Sequence, residues 1–422
     1  MTELAFGPRS ARSPATRRRH VRAALASFAL ALSHGAADAA PRVPPVPQGE
    51  RSPEQQTIAA GFDSLGMPNA VGTYLRHPKA AANILPYFRY VTTATTLPAR
   101  ERELVALRTA WLTRSDYLWA HRAVSARKTG LTDEELTRIA VGPDAAGWKP
   151  FEATLLRTAD ELHVDSFVSD ATWRTLTQRY DVNQMIDLVY GVGDLTMHAG
   201  ALRSLGVDIE AGFTDRLPAG IPYTVAARQT NLRLIGKAPR IPPLQPHEWT
   251  QELRQQLDPT GSGRPAANVF ATFVHNPPVD ALRNAVPGHI RASTTLSDRQ
   301  RELLLTRIGV LCRSEYEYAA HLRAGRRVGI TDADVERITK GPDHANGDPL
   351  DTALLRATDE LYRDDRISDA TWTALAASLD TQQLLDVLIA VGGYREGSMA
   401  ISSAGVQLDD NMAEFRFPPE LR

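Results

Sequence analysis

One stretch of the sequence places several proton-transferring side chains on a single helix face. Residues 302–321 read ELLLTRIGVLCRSEYEYAAH, and Ser314, Glu317 and His321 stand at positions i, i+3 and i+7 within them. On an α-helix this spacing puts the three side chains on one face. Glu302 lies on the preceding predicted helix and can fold back against that face. A histidine flanked by two carboxylates can transfer a proton near neutral pH.

These residues favour proton-transfer chemistry next to a carbonyl group. Decarboxylation or isomerisation at that position requires a group that stabilises an enolate and an acid that protonates carbon. We expect His321 to be that acid or base, with Glu302 and Glu317 tuning it or relaying its proton. Three further residues are candidates to hold an anionic oxygen of the substrate, namely Arg307, Arg313 and Tyr316.

Each candidate also has a structural interpretation. A glutamate and a histidine four positions apart on a helix often form only a surface or capping contact. Glu302 follows Arg301 and could simply begin a solvated helix. Arg307 has a counterpart, Arg108, in the other half of the chain, so a buried structural ion pair is an equal alternative to substrate binding. Cys312 is expected to be a small buried apolar residue.

The chain consists of two copies of one segment. Short motifs recur at a constant distance of 199 positions: GPD at 142 and 341, LLR at 155 and 354, DEL at 160 and 359, and SDATW at 169 and 368. The strings PRVPP and PRIPP open the two copies at Pro41 and Pro239. A period this long indicates duplicated domains rather than a solenoid. We place copy one at 40–237 and copy two at 238–422.

Both copies read as helical throughout. Leu304, Ile308 and Leu311 form an apolar stripe with helical spacing, which predicts a helix beginning near Ser297. The segment Thr132–Glu135 has the pattern of a capping box at the start of another helix. Neither copy contains a run of alternating apolar and polar residues typical of strands. The sequence therefore predicts an all-α protein made of two tandem helical domains.

The site and the repeat together resemble the carboxymuconolactone decarboxylase and alkyl hydroperoxidase D superfamily. The resemblance rests on the glutamate 19 positions before His321, the N-x-F-like opening at Asn268 and the GVQL ending at Gly405. It implies two all-helical AhpD-like domains. In thiol-dependent members a Cys-x-x-Cys pair occupies the positions of Ser314 and Glu317. The chain is instead similar to the decarboxylase-type branch, which keeps a histidine and carboxylates without redox thiols.

Cysteine content separates the possible activities. Cys312 is the only cysteine of the 422 residues, so the chain alone cannot build an internal disulfide or a two-thiol redox centre. We expect an enzyme of non-redox proton transfer acting on a small oxo- or lactone-acid. The alternatives are an AhpD-like peroxidase and a non-catalytic helical scaffold or binding protein. A pocket with a histidine of shifted pKa favours an enzyme, whereas a site filled by apolar side chains favours a scaffold.

Copy one departs from this pattern. Glu103 and Tyr117 match their copy-two counterparts, but Leu118 replaces the second glutamate and Arg122 occupies the histidine position. His121 is present one residue early, which turns it about 100° around the helix. Copy one is therefore expected to be degenerate, either without its own site or lending residues to a shared one.

The partners expected from the sequence are few. The formal net charge of −1 provides no field that attracts nucleic acid or an acidic membrane. The sequence contains no glycine-rich phosphate loop, no metal-spaced cluster and no nucleic-acid motif. We therefore expect a small-molecule substrate, no cofactor and no metal. The resemblance further implies a homo-oligomer, in which the fused pair replaces one dimer.

The first 39 residues have the order of an export signal. The basic run RRRHVR at 17–22 precedes about a dozen mostly apolar residues and then small residues at Ala37–Ala39. The apolar stretch is too short for a permanent membrane span. We expect residues 1–39 to be removed, with the twin-arginine route as one candidate for export. The mature protein would be periplasmic or secreted, begin near Ala40 and have no membrane contact. The alternative is a disordered basic tail followed by an alanine-rich helix.

Overall fold

The computed structural model describes residues 40–223, 238–261, 266–345 and 347–421. The predicted export signal, residues 1–39, lies outside the described residues. The segment 224–237 also lies outside them. The boundary between the copies, expected at the end of this segment, stays a prediction. The described residues from Pro41 to Leu421 form one compact unit.

The described residues are helical and contain no strand, which confirms the all-α prediction. Within residues 40–223, copy one has nine α-helices: α1 (Pro53–Ala60), α2 (Pro68–Tyr74), α3 (Pro78–Thr93), α4 (Ala99–Leu112), α5 (Asp116–Lys128), α6 (Asp133–Val141), α7 (Pro150–Asp165), α8 (Asp170–Leu176) and α9 (Val182–Leu205). Short 3₁₀ turns lie at Gln48–Glu50 and Asp63–Leu65.

Copy two repeats this order over its described ranges. Its nine α-helices are α10 (Gln251–Leu257), α11 (Asn268–Phe273), α12 (Pro277–Ala292), α13 (Asp298–Leu311), α14 (Glu315–Arg327), α15 (Asp332–Lys340), α16 (Pro349–Asp364), α17 (Asp369–Ala376) and α18 (Thr381–Ala404). Two 3₁₀ turns follow, at Asp410–Phe415 and Pro419–Leu421. None of the helices in the described ranges has the length and apolar character needed to span a membrane.

Capping side chains determine where several helices begin. Ser297 caps α13 by accepting a hydrogen bond from the backbone N–H of Gln300, whose side chain bonds back to the Ser297 N–H. Thr132 and Glu135 form the same reciprocal pair at the start of α6. Such boxes satisfy N–H groups that have no partner within the helix. Both starts agree with the sequence-based expectation.

The two copies pack through their longest helices, α9 and α18, and share one hydrophobic core. Glycines allow this close approach. A Cβ atom at Gly193 would lie 2.6 Å from Cγ of Glu396, and one at Gly392 would collide with Met197. Both glycines belong to corresponding positions of the repeat. At these two glycines the backbone of one helix therefore packs directly against a side chain of the other helix.

The repeat motifs themselves form further contacts between the copies. Arg42, in the opening of copy one, makes an ion pair with Asp369 of copy two, and Arg240 makes the reciprocal ion pair with Asp170. The two aspartates belong to the two SDATW motifs. Each copy thus offers the same surface to the other, as in a symmetric homodimer.

Candidate active site

His321 lies on α14 between two glutamates. Its Nδ1 atom is 2.7 Å from Oε2 of Glu302 on α13, and its Nε2 atom is 3.3 Å from Oε2 of Glu317, one turn earlier on α14. Only 12% of the His321 side chain is exposed, and the two glutamates are buried. The structure therefore brings together the three residues that the sequence singled out for catalysis.

Two features of the local sequence place Glu302 opposite His321. A connection of only three residues, 312–314, joins α13 to α14, so the two helices must lie side by side. Gly309 then lets them approach closely, because a Cβ atom there would lie 2.8 Å from the backbone nitrogen of Tyr318. With the helices this close, side chains 19 positions apart come within hydrogen-bond distance.

The two carboxylates keep the imidazole charged. Burial lowers the pKa of His321, but hydrogen bonds to Glu302 and Glu317 outweigh burial and raise that pKa to about 9. Burial also acts to raise the pKa of Glu302, yet its hydrogen bonds with His321 and Arg301 bring that pKa below its ordinary value. Arg301 contributes through Nε, 2.9 Å from Oε1 of Glu302. At neutral pH His321 is therefore an imidazolium and a proton donor.

A pocket of about 530 Å³ opens beside the Glu317–His321 face. Its walls come from α10, α11, α12 and α14, from α18 and from Tyr190 on α9 of copy one. Gly397 on α18 leaves room for Glu317, because a Cβ atom there would lie 2.9 Å from Oε1. The walls are largely apolar or aromatic and include Leu257, Val269, Phe270, Phe273, Val274, Pro287 and Tyr394. Such a size and lining are typical of a small-molecule site.

Three arginines that the sequence analysis did not single out also line the pocket: Arg283, Arg291 and Arg323. Arg283 is buried, pairs with Asp280 and lies over the ring of Tyr190, with its guanidinium carbon 4.6 Å from the ring centroid. Asp280 and the carbonyl oxygen of Phe273 engage the Arg283 guanidinium, so Arg291 and Arg323 supply the positive charge that attracts acidic ligands.

Glu396 adds a second kind of carboxyl group to the pocket. It is 3% exposed, and its Oε1 atom has no hydrogen-bond partner among the described residues. Burial, together with the neighbouring Asp194 of copy one, raises the pKa of Glu396 well above its usual range. Burial likewise raises the pKa of Asp194. Burial thus favours the protonated form of Glu396, and in that form the carboxyl group can donate a hydrogen bond to a ligand.

The sequence offered no signal for Glu396. It lies far along the chain from His321, on a helix that reads as apolar core, and its counterpart in copy one is Met197. Burial is the main cause of its raised pKa, and Asp194, which belongs to the other copy, raises that pKa further. Only the packing of α9 against α18 brings the two carboxyl groups together.

Two of the expected substrate-binding residues lie elsewhere, and the expectation is corrected. Arg307 donates to both oxygens of Asp359, at 2.7 and 2.9 Å, and to the carbonyl oxygen of Ile338 at 2.6 Å. Arg313 pairs with Asp165 of copy one at 3.1 Å. Neither arginine lines the pocket. Because the Arg307 guanidinium is engaged by a buried carboxylate and a carbonyl, its structural interpretation holds.

Tyr316 has a divided role. Its side chain lines the pocket. Its hydroxyl group, however, donates to Oδ2 of Asp409 at 2.7 Å and so holds the segment after α18 in place. Tyr117 does the same in copy one, donating to Oε1 of Glu210 at 2.6 Å. The hydroxyl is therefore committed to the fold, and only the ring of Tyr316 is offered to a ligand.

Copy one has replaced the proton donor with a fixed ion pair. Arg122 stands at the histidine position, and its Nε lies 2.9 Å from Oε2 of Glu103. A guanidinium does not lose its proton at any working pH. His121 points elsewhere, with Nε2 2.7 Å from Oε2 of Glu210 and its ring stacked near Phe213. Copy one contributes to the site of copy two instead, through Tyr190.

Comparison with protein-family models gives two matches to one family, the carboxymuconolactone decarboxylase family, over residues 78–161 and 277–360. Each match begins at the start of a corresponding helix, α3 or α12, and the second includes the whole of α13 and α14. Comparison with curated proteins and with solved structures found no match. Glu396 and Tyr190 lie outside the matched segments.

Proposed function

Because residues 78–161 and 277–360 of this chain are two domains of the carboxymuconolactone decarboxylase family, we propose that copy two is a non-redox enzyme of small oxo- or lactone-acids. Its reaction would be decarboxylation or isomerisation next to a carbonyl group. One observation carries the proposal: an imidazolium held by Glu302 and Glu317 at the wall of a pocket of about 530 Å³.

Each face of the pocket suits one part of such a substrate. Arg291 and Arg323 attract its carboxylate, and the apolar walls accept its carbon skeleton. Nδ1 of His321 is committed to Glu302, so the proton available for transfer is the one on Nε2, on the side of Glu317. In its protonated form, Glu396, whose Oε1 atom has no hydrogen-bond partner within the described part of the chain, can hydrogen-bond to the enolate oxygen as charge develops there.

The two reactions use the same groups in different order. In a decarboxylation the bond to the leaving carboxylate breaks, carbon dioxide departs and its electron pair remains as an enolate. His321 then gives its Nε2 proton to carbon, directly or through Glu317, and regains a proton from solvent. In an isomerisation of a β,γ-unsaturated carbonyl compound, Glu317 first takes a proton from the α-carbon, which leaves a dienolate. His321 then protonates the γ-carbon as the double bond moves into conjugation, and the proton on Glu317 returns to His321.

The peroxidase alternative has less support. Ser314 and Glu317 stand where the thiol pair would be, and neither side chain can form a disulfide. Cys312 is fully buried and does not line the pocket. The scaffold alternative predicts a site filled by apolar side chains, whereas this pocket contains a histidine of raised pKa. We also propose that the protein assembles as a homo-oligomer, as the family resemblance implies.

A substrate panel tests the proposed function. The purified protein is incubated in deuterated water with 2-oxo acids, 3-oxo acids and γ-lactone acids, while NMR monitors deuterium uptake and a coupled assay monitors carbon dioxide. We expect turnover or deuterium exchange with at least one acid. This activity should be lost in His321→Gln and retained in the surface control His344→Gln. Absence of exchange and turnover with every acid would favour the scaffold.

An assay of peroxide turnover tests the peroxidase alternative. With hydroperoxides and a thiol reductant, we expect no activity above background, and Cys312→Ser should leave acid turnover within a few-fold of wild type. Peroxide turnover that disappears in Cys312→Ser would replace the proposal with a one-cysteine peroxidase.

A further inference from the structure

Two imidazoles and one carboxylate meet in the interior between the copies, away from the pocket. His77 caps α3 of copy one, while His289 on α12 and Asp386 on α18 belong to copy two. All three side chains are buried. Among the described residues they form a group in which one ligand atom from each lies within 4.8 Å of the others.

The distances from the two imidazoles to Asp386 are close to the spacing of ligands around one tetrahedral ion. Nitrogen and oxygen ligands about 2.0–2.2 Å from zinc stand roughly 3.3 Å apart. Nε2 of His77 lies 3.3 Å from Oδ1 of Asp386 and 3.4 Å from Oδ2, distances that are long for a hydrogen bond. Nε2 of His289 lies 2.8 Å from Oδ1, and a movement of about 0.5 Å would bring it to the ligand spacing.

The carboxylate is held in the orientation that a ligand needs. Oδ2 of Asp386 accepts hydrogen bonds from Oγ1 of Thr294 at 2.9 Å and from N and Oγ1 of Thr295 at 2.6 and 2.8 Å. This leaves Oδ1 facing the imidazoles, as outer-shell contacts do in metal sites. Counting the imidazoles, five donors surround a carboxylate that has about four lone-pair sites. One imidazole is therefore better satisfied as the ligand of a cation.

Copy one has the same carboxylate clamp without the imidazoles. Asp187 accepts hydrogen bonds from Tyr90 at 2.8 Å and from N and Oγ1 of Thr96 at 2.7 and 2.6 Å. Tyr90 stands at the position of one histidine, and Asn276 at the position of the other. The fold thus requires the aspartate and its threonine clamp in both places, but it does not require two histidines.

We propose that Nε2 of His77, Nε2 of His289 and Oδ1 of Asp386 bind one divalent cation of the zinc class, which joins the two copies. Two neutral imidazoles and one carboxylate are a donor set that zinc accepts, with water as the fourth ligand. The proposal is independent of the proposed function, because none of the three residues lines the pocket.

Zinc uptake by the whole protein tests this site. Chelator-treated wild-type protein is titrated calorimetrically with zinc chloride alone, then desalted and analysed for metal by mass spectrometry. We expect about one zinc per chain and a higher melting temperature. His77→Asn and His289→Tyr introduce the residues of the copy-one clamp, and each should weaken zinc binding at least about tenfold.

Two control variants and one cobalt spectrum test whether zinc binds at this site and not at another histidine. His321→Gln and the surface variant His344→Gln should each retain one zinc, which excludes binding at the pocket or at a surface histidine. Zinc binding that is absent in wild type, or equal in wild type and the two interface variants, overturns the proposal. If both interface variants fail to fold, cobalt is added to wild type instead: an intense visible spectrum of tetrahedral cobalt, displaced by zinc, supports the site, and its absence contradicts it.

Discussion

Nδ1 of His321 and Oε2 of Glu302 lie 2.7 Å apart, although the two residues are separated by 19 positions and belong to different helices. The corresponding residues of copy one, Arg122 and Glu103, form a permanent ion pair. Each copy thus has a glutamate at the same position. In copy two it pairs with His321, which can release a proton, and in copy one it pairs with Arg122, which cannot.

The ionisation of His321 can be measured without a substrate. In histidine-labelled protein, NMR titration should give His321 a pKa of about 9. Glu302→Gln removes the main stabilising hydrogen bond, so burial should dominate and the pKa should fall by at least one unit. The matched variant Glu103→Gln in copy one should leave the pKa of His321 unchanged. A wild-type pKa near 6.5 would contradict the electrostatic description of the site.

Stability should depend on pH through the same residue. The pKa of His321 is raised from 6.5 to about 9 in the folded protein, so its contribution is complete below pH 6.5 and is lost as pH rises through 9. The difference corresponds to roughly 3 kcal/mol of unfolding free energy. Urea unfolding of wild type and His321→Gln at pH 6 and pH 10 measures it. The advantage of wild type over the variant should shrink at pH 10; a constant difference would argue against the ion pair.

Loss of the proton donor should affect the copies unequally. His321→Ala should reduce turnover of an identified substrate by about 10²–10⁴-fold, the usual size of a general acid–base contribution. His121→Ala should cost much less activity, because His121 binds Glu210 away from the pocket. His121→Ala should instead lower the melting temperature, because the contact between His121 and Glu210 holds the segment after α9 in place. Equal losses of activity in two folded variants would indicate a composite site between the copies.

The crossing of α9 and α18 offers a matched pair of glycine substitutions. In Gly193→Ala the new Cβ would lie 2.6 Å from Cγ of Glu396, so we expect destabilisation on the order of 1–3 kcal/mol. In Gly191→Ala, two positions earlier, the nearest atom is Cγ1 of Val91 at 3.7 Å, an ordinary contact. That variant should be neutral or more stable by up to about 1 kcal/mol, because alanine favours a helix. Denaturant unfolding compares them, and similar values for both would refute a tight crossing.

The export of the protein remains a proposal based on the order of basic, apolar and small residues before Ala40. N-terminal sequencing of protein from its native host should begin near Ala40. Recovery of soluble protein with Met1 or Thr2 at its terminus would show that the segment is retained.

Features that depend on neighbours along the chain could be predicted from the sequence. The constant distance of 199 positions established the duplication, and capping residues and apolar stripes established the helices. Glu302, Glu317 and His321 could also be grouped, because two helices joined by a short connection must pack side by side. In such a hairpin, helical periodicity alone determines which side chains face each other.

Features that depend on packing between distant segments required the tertiary structure. The sequence shows that Arg307 is a cation but does not reveal that Asp359 already neutralises it. Nor does it show that Glu396 meets Asp194 across the two copies, or that His77 approaches Asp386, 309 positions later in the chain. Periodicity reports which face of a helix is buried, not which helix covers it. The charge of a buried group is determined by that covering helix, since burial and neighbouring charges together shift its pKa.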